Sequence, residues 1–356
     1  MIPDCTLTTA CFNLEKYNTH DIKCRTKIDT INSIKSLLDV PCYLIIYTDE
    51  TLYKSIREYR HHLDDITHYV VIDIESLDSF KYIDIVRENR KKYYPTKDER
   101  TCEGRHLICS SKFELVLKSI HLNPFNTSRF GWIDSNVGVN FKKICIDYKN
   151  NMLLKVLNEC KEDKFYLQIL NVCDPNLLLD LKQFYSQYRW IVCGCLFITP
   201  VNKGIKILTV LNDIFIKHTM AGYGHLEEMY YLEMLDKYRD DLHISYGDYH
   251  HMLNNFINPT VDLYYVYHIT CRYLHFKQYH NCIHACETVI YQFENYNIEM
   301  NYIQYFEFLF NDCMANYCIN SNKINDIQLK IKQLIDTNTD VKQKYLSNKS
   351  WYDTYL

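Results

Sequence analysis

Short apolar, β-branched runs alternate with longer stretches of helical period along the first two-thirds of the chain, the pattern of strands separated by crossover helices. Thr6 to Phe12 is the first run, and in the helical stretch that follows Ile28, Ile31, Ile34, Leu37 and Leu38 share one face. Tyr43 to Tyr47 follows Pro41 as a second strand, Thr48 and Asp49 suit the N-cap of a short helix, and Tyr69 to Ile74 is a third strand. A helix over His106 to Leu122 stops before Asn123-Pro124, and a strand over Arg129 to Ile133 halts at Asp134. Phe165 to Asn171 and Ile191 to Ile198 read as further buried strands. Helices are expected over Leu177 to Tyr188, Lys203 to Thr219 and Leu226 to Tyr238. The β-α-β-α-β order predicts an α/β fold on a largely parallel sheet.

From about Pro259 the alternation ends and every stretch has helical period, which places a domain boundary there: an α/β domain over 1–258 and an all-α domain over 259–356. Asp262 to His275 and Tyr279 to Phe293 form an expected helix pair, with Ile283, Cys286, Val289, Ile290 and Phe293 on one face of the second helix. A further pair starts near Tyr302, a spacing close to that of tetratricopeptide repeats, although the Trp, Leu and Gly signature positions are not filled.

A chain of 356 residues with 47% hydrophobic and 24% charged content is an ordinary globule rather than a disordered or membrane-embedded one. Its net charge of -4 excludes the overall basic excess of a nucleic-acid binder. The one basic stretch, Arg87 to Arg100, is interleaved with Glu88, Asp98 and Glu99 and reads as a solvated helix end, with an anion-facing loop as the alternative. Sixteen scattered cysteines with no Cys-x-x-Cys pair read as thiols in a reducing compartment, and Cys193-Gly194-Cys195 lies inside an apolar run where cysteine acts as a small hydrophobe. That run ends at Pro200, too short to span a bilayer. The Tyr-, Ile-, Asn- and Lys-rich composition suits an AT-rich genome, so tyrosine abundance is no argument for sugar stacking.

Three constellations could carry chemistry. In Phe130-Gly131-Trp132-Ile133-Asp134-Ser135-Asn136 a buried strand delivers a carboxylate and, two residues on, a carboxamide, at the place where α/β sheets bind ligands. Such hard oxygens at short spacing can hold a divalent cation against the charge of a leaving diphosphate, though both residues are also ordinary turn formers. Tyr246-Gly247-Asp248-Tyr249-His250-His251 could complete a metal shell, or be a turn with surface histidines. In Gly222-Tyr223-Gly224-His225-Leu226-Glu227-Glu228 a loop enters a helix with two carboxylates in its first turn, where the helix dipole alone favours them; otherwise Glu227 or Glu228 is a general base or a stabiliser of oxocarbenium-like charge. Glycine-rich phosphate loops and the serine-hydrolase elbow are absent.

Taken in order, Leu7-Thr8-Thr9-Ala10-Cys11-Phe12, Tyr43 to Thr48, Ser111-Lys112-Phe113, Asn123-Pro124-Phe125, Trp132-Ile133-Asp134, the Gly-x-x-x-Glu-Glu stretch ending at Glu228, and Tyr246-Gly247-Asp248-Tyr249 resemble the HtrL/YibB-like proteins of bacteria and large DNA viruses, regarded as glycosyltransferases of GT-A type. The resemblance covers roughly residues 5 to 258 and lies in the order of several modest motifs. It implies a GT-A-like mixed sheet flanked by helices. Thr8, Thr9, Ala10 and Phe12 would line the nucleotide, Tyr47 and Thr48 would flank the base, and Lys112 and Trp132 would contact the donor. Asp134 and Asn136, with His250, would hold Mn2+ or Mg2+. Asn136 stands where the family's motif has a second Asp, which weakens the expected metal affinity. Glu227, Glu228 and Asp248 would be the catalytic acids and bases, with Asp134 and Asp248 converging on one pocket.

The expectation is therefore a metal-assisted glycosyltransferase. It would move a hexose or N-acetylhexosamine from a nucleoside diphosphate sugar, UDP favoured, to a glycan or protein hydroxyl. No nucleic-acid partner and no membrane span are expected, the location is cytoplasmic (host cytoplasm for a viral member), and a homo-oligomer is allowed. The alternatives are a non-catalytic interaction protein whose helical tail binds a partner, and a two-metal phosphoester hydrolase for which one Asp-x-Asn turn and Asp248 supply few ligands.

Overall fold

The computed structural model describes residues 2–18, 24–92, 102–137, 150–257, 262–296 and 298–356, without the side chains of 150 and 250. Two compact units emerge. The first comprises Met1–Asn171, Pro175–Ser245 and Tyr249–Ile257; the second comprises Val172–Asp174, Tyr246–Asp248 and Asn258–Leu356. The expected boundary at Pro259 and residues 93–100 of the basic stretch lie outside the described residues.

Among the described residues of the chain, seven strands form one mixed sheet in the order β3-β2-β1-β4-β6-β5-β7. They are β1 (Thr6–Cys11), β2 (Tyr43–Thr48), β3 (Thr67–Val71), β4 (Arg129–Ile133), β5 (Phe165–Ile169), β6 (Leu196–Pro200) and β7 (Leu242–Tyr246). β1 lies parallel to β2, from Thr6 opposite Tyr43 to Cys11 opposite Thr48, and parallel to β4, with Leu7 opposite Gly131. β2 and β3 are also parallel, whereas β6 runs antiparallel to both β4 and β5. The parallel arrangement thus holds for one half of the sheet, and the α/β class expected from the sequence, a mixed sheet flanked by helices and followed by a helical part, is the one adopted. The chain steps outward from β1 to β2 to β3 and returns on the other side of β1 as β4. The carboxyl ends of β1 and β4 consequently part at a topological switch point.

Every residue of β1 is buried, so both faces of the sheet need a covering layer. One face is covered by α1 (Lys27–Leu38), capped by the Thr26 hydroxyl on the Asp29 amide, and by α2 (Glu50–Arg60), capped by Asp49 on the amides of Thr51 and Leu52. Ile34, Leu37, Leu44, Leu153, Leu196 and Met252 belong to the core beneath them. Ile28, expected on the buried face of α1, is 70% exposed: it sits in the first turn, beyond the reach of that core. The guanidinium of Arg60, wholly buried, closes the α1–β2 corner by donating to the carbonyls of Leu38 (2.7 Å), Val40 (2.9 Å) and Cys42 (2.9 Å) and to the Thr67 hydroxyl (2.6 Å).

After α3 (Ile83–Lys92), α4 (Glu103–Leu122) begins three residues before the expected start, capped by the Cys102 thiol on the Arg105 amide, and ends at Asn123 in the left-handed region with φ 34°. α5 (Asn150–Glu159), α6 (Val201–Met220) and α7 (Met252–Ile257) complete the unit, and α4 packs along α6. Two expected helices are reduced to single turns, at Pro175–Leu179 and Leu181–Phe184 and at Glu227–Met229 and Leu232–Leu235. The expected strand from Ile191 starts only at Leu196. Before it Val192 bridges Ile169, while the carbonyls of Gly194 and Cys195 turn towards Lys112 and the Asp134 amide.

The second unit carries α8 (Leu263–His275), α9 (Tyr279–Asn295), α10 (Tyr302–Cys318), α11 (Ile324–Thr337) and α12 (Thr339–Ser347). In α9 the buried stripe is Cys282, Ala285, Cys286, Val289 and Ile290, so Ile283 and Phe293 flank the core. Asn301 and Gln304 form a reciprocal capping box on α10. Among the described residues no helix is long and apolar enough to cross a membrane.

Candidate functional site

A cavity of about 340 Å³ opens at the switch point between β1 and β4. Its walls come from four segments. The end of β1 and the residues after it contribute Ala10, Cys11, Phe12 and Leu14; the end of β4 contributes Trp132, Asp134, Ser135 and Asn136. Cys24 and Arg25 precede α1, whose first turns add Thr30 and Ser33. Arg105, Ile108, Cys109 and Lys112 recur at helical spacing and present one face of α4.

Lys112 organises the charge. Its side chain is buried, and its ammonium donates to the Gly194 carbonyl at 2.7 Å, to Glu227 Oε1, and to Asp134 Oδ1 at 3.4 Å. Burial alone would lower its pKa, but Asp134 and Glu227 together hold it well above the ordinary lysine range, so the ammonium is a fixed charge. The Trp132 indole N–H donates to the same Asp134 oxygen at 2.6 Å, and the Lys112 ammonium lies 5.3 Å from the Trp132 ring centre. Asp134 is also fixed through its backbone, its amide donating to the Cys195 carbonyl at 2.9 Å.

Behind this wall sit the two glutamates. Burial raises the pKa of Glu227 although Lys112 pulls it down, and burial pushes Glu228 up to about 7 against the Tyr249 hydroxyl, which donates to its Oε1 at 2.6 Å. Gly194 makes this arrangement sterically feasible: a Cβ there would stand 2.2 Å from Glu227 Oε1. On the opposite side, burial and then the neighbouring Arg105 lower the pKa of Arg25, against the opposing pull of Cys11, Asp134 and Asp29. Arg105 makes no ion pair among the described residues. The thiols of Cys24 and Cys102 approach to 3.2 Å, and every described cysteine is unpaired.

Of the residues singled out in the sequence, Ala10, Phe12, Lys112, Trp132, Asp134 and Asn136 meet at this cavity. Thr8, Thr9 and Thr48 are wholly buried within the sheet and do not line it, and Tyr47 turns to the α4 side, where the Ser119 hydroxyl donates to it at 3.4 Å. Glu227 and Glu228 lie behind Lys112 rather than on the surface of the cavity. Asp248 falls in the second unit, and the side chain of His250 lies outside the described residues. Sequence reasoning missed Arg25 and Arg105. Arg105 precedes Lys112 by seven residues on one helix face, but the expected helix begins at His106, one residue beyond it.

Among the described residues the donor set does not fit a divalent cation. A hard cation needs several oxygen ligands, yet Asp134 Oδ1 already accepts from an indole and an ammonium, and among the described residues Asp134 is the one carboxylate that lines the cavity, beside Arg25, Arg105 and Lys112. Among the described residues no group of three His, Cys, Asp or Glu side chains converges as a metal shell.

No family model matches this chain, and no curated protein matches it. Among solved structures, mouse xyloside xylosyltransferase 1 in its apo form is similar at 10% identity over 67% of this chain and 83% of that one. The TM-score of 0.36 is too low for that likeness to carry weight here.

Proposed function

We propose that the first unit binds a nucleoside diphosphate sugar at the β1–β4 switch point and transfers its hexose or N-acetylhexosamine to a glycan or protein hydroxyl, with UDP the favoured nucleotide. The observation that carries this reading is the cavity itself: about 340 Å³, at the carboxyl ends of β1 and β4, with three cations and one carboxylate among the described residues of its walls. The resemblance of the motif order to that of the HtrL/YibB-like proteins agrees with it. Cations aimed at the diphosphate would stabilise the charge that grows on the leaving group as the glycosidic bond breaks. In this reading Asp134 would meet the developing positive charge on the sugar.

A second reading, nucleotide binding without turnover, draws on one observation: Glu227 and Glu228 are held by Lys112 and Tyr249 and offer no base at the cavity surface. The test is calorimetric titration with UDP, GDP, ADP and CDP, followed by donor-hydrolysis and transfer assays on the wild type and on Asp134→Asn. This variant keeps an oxygen for the Trp132 indole, so it should fold and bind nucleotide while losing turnover at least a hundredfold. Unchanged turnover would remove Asp134 from the reaction, and binding without turnover in the wild type would favour the second reading.

A further inference from the structure

The carboxylate expected to hold a metal already faces a protein cation. Lys112 sits against Asp134 at 3.4 Å, Trp132 claims the same oxygen at 2.6 Å, and Arg25 and Arg105 line the same cavity. We infer that Arg25 and Arg105 hold the donor diphosphate directly, in the place where a divalent cation would otherwise neutralise it, while Lys112 fixes Asp134 behind them, so that donor binding is independent of metal. The inference rests on the donor reading above and names the way in which the same site recognises its ligand.

Charge balance and chemistry both support it. Lys112 is locked between Asp134 and Glu227, so its ammonium is an oriented point charge at the floor. The two arginines supply planar forks that match phosphate oxygens in pairs. Arg25 and Arg105 line the same cavity, and their mutual repulsion, which adds to burial in lowering the pKa of Arg25, is relieved when a polyanion lies beside both. Among the described residues the one carboxylate that lines the cavity is already paired, whereas Arg105 makes no ion pair.

The experiment is calorimetric titration of the full-length protein with UDP and GDP, once in excess EDTA and once in manganese, for wild type, Arg105→Gln, Arg25→Gln and Arg105→Lys. Circular dichroism confirms that each variant is folded. The expected result is an affinity that changes less than threefold between EDTA and manganese, falls about tenfold or more in each Gln variant, and is partly restored in Arg105→Lys. Binding seen only with manganese would overturn the inference and leave the donor reading standing. Metal-independent binding that both Gln variants retain in full would also overturn it, because the anion would then be held elsewhere. Binding of neither nucleotide under either condition would overturn the donor reading, and the inference with it.

Discussion

Replacing Lys112 with methionine tests the charge arrangement most directly, because methionine keeps most of the side-chain length and removes only the ammonium. In the wild type that ammonium serves Glu227, the Gly194 carbonyl and Asp134 at once. Without it Glu227, which is 4% exposed, must either stay ionised in a dry site or take up a proton. Breaking a buried pair by removing one partner costs about 3–5 kcal/mol, a large fraction of the 5–15 kcal/mol typical of a whole domain. The sign of the pH dependence follows. Burial already raises the Glu227 pKa above the ordinary 4.5, and loss of Lys112 raises it further. A folded-state pKa above the unfolded value contributes stability that is present at low pH and is lost as pH rises through the folded value. The deficit of Lys112→Met should therefore be largest near pH 8 and shrink towards pH 5.

The assay is urea denaturation from pH 5 to 8, followed by tryptophan fluorescence, since the Trp132 ring lies beside Lys112. The double variant Lys112→Met with Glu227→Gln should recover more than half of the loss at pH 8, because no uncompensated carboxylate is left behind at Glu227. A single-variant cost below about 1 kcal/mol, or a cost that does not vary with pH, would refute the reasoning. Either result would mean that water reaches Glu227 and that the site is wetter than its geometry indicates.

Two further outcomes follow from other buried groups. Glu228→Gln should flatten the fall in stability between pH 5 and 8. Raised from 4.5 to about 7, the wild-type carboxyl stabilises the fold when protonated and loses on the order of 3 kcal/mol as pH climbs through that range; denaturation curves that run parallel for both proteins would contradict this. Arg60→Met should lower stability by about 4 kcal/mol, since it strands the carbonyls of Leu38, Val40 and Cys42 together. A thermal midpoint within about 2 °C of wild type would show that solvent takes over these bonds.

Elements with strong local signals were legible in the sequence. The bounds of β4 coincide with the expected Arg129 to Ile133, and α4 stops at Asn123 as the following Pro124 requires. Leu226 to Tyr238 has helical period, yet it breaks into short turns because Glu227 and Glu228 are drawn inward to Lys112 and Tyr249. Ile191 to Cys195 is paired only in part: the Cys193 amide donates to the Gln168 carbonyl of β5 and the Cys195 carbonyl accepts from the Asp134 amide just past β4, while the Gly194 carbonyl accepts from Lys112. At the glutamate pair tertiary charge pairing overrode a local pattern, which no window of sequence contains.

The same limit governs the site. Asp134 could be singled out because a strand that ends in an acidic residue is a local feature, but what Asp134 can do depends on Lys112, 22 residues earlier, and through it on Glu227, 115 residues beyond Lys112. An Asp-x-Asn turn alone points to a metal. The same turn with an ammonium on its carboxylate and two guanidinium groups on the same cavity points to an anion whose charge the protein balances by itself. Gly194 shows how closely the parts depend on one another, since any side chain there would stand in the space that Glu227 needs to reach Lys112. A glycine inside an apolar run, a lysine inside a buried helix and a glutamate pair at a loop end each have a bland explanation alone; brought together, they set the charge that a ligand at Asp134 would meet.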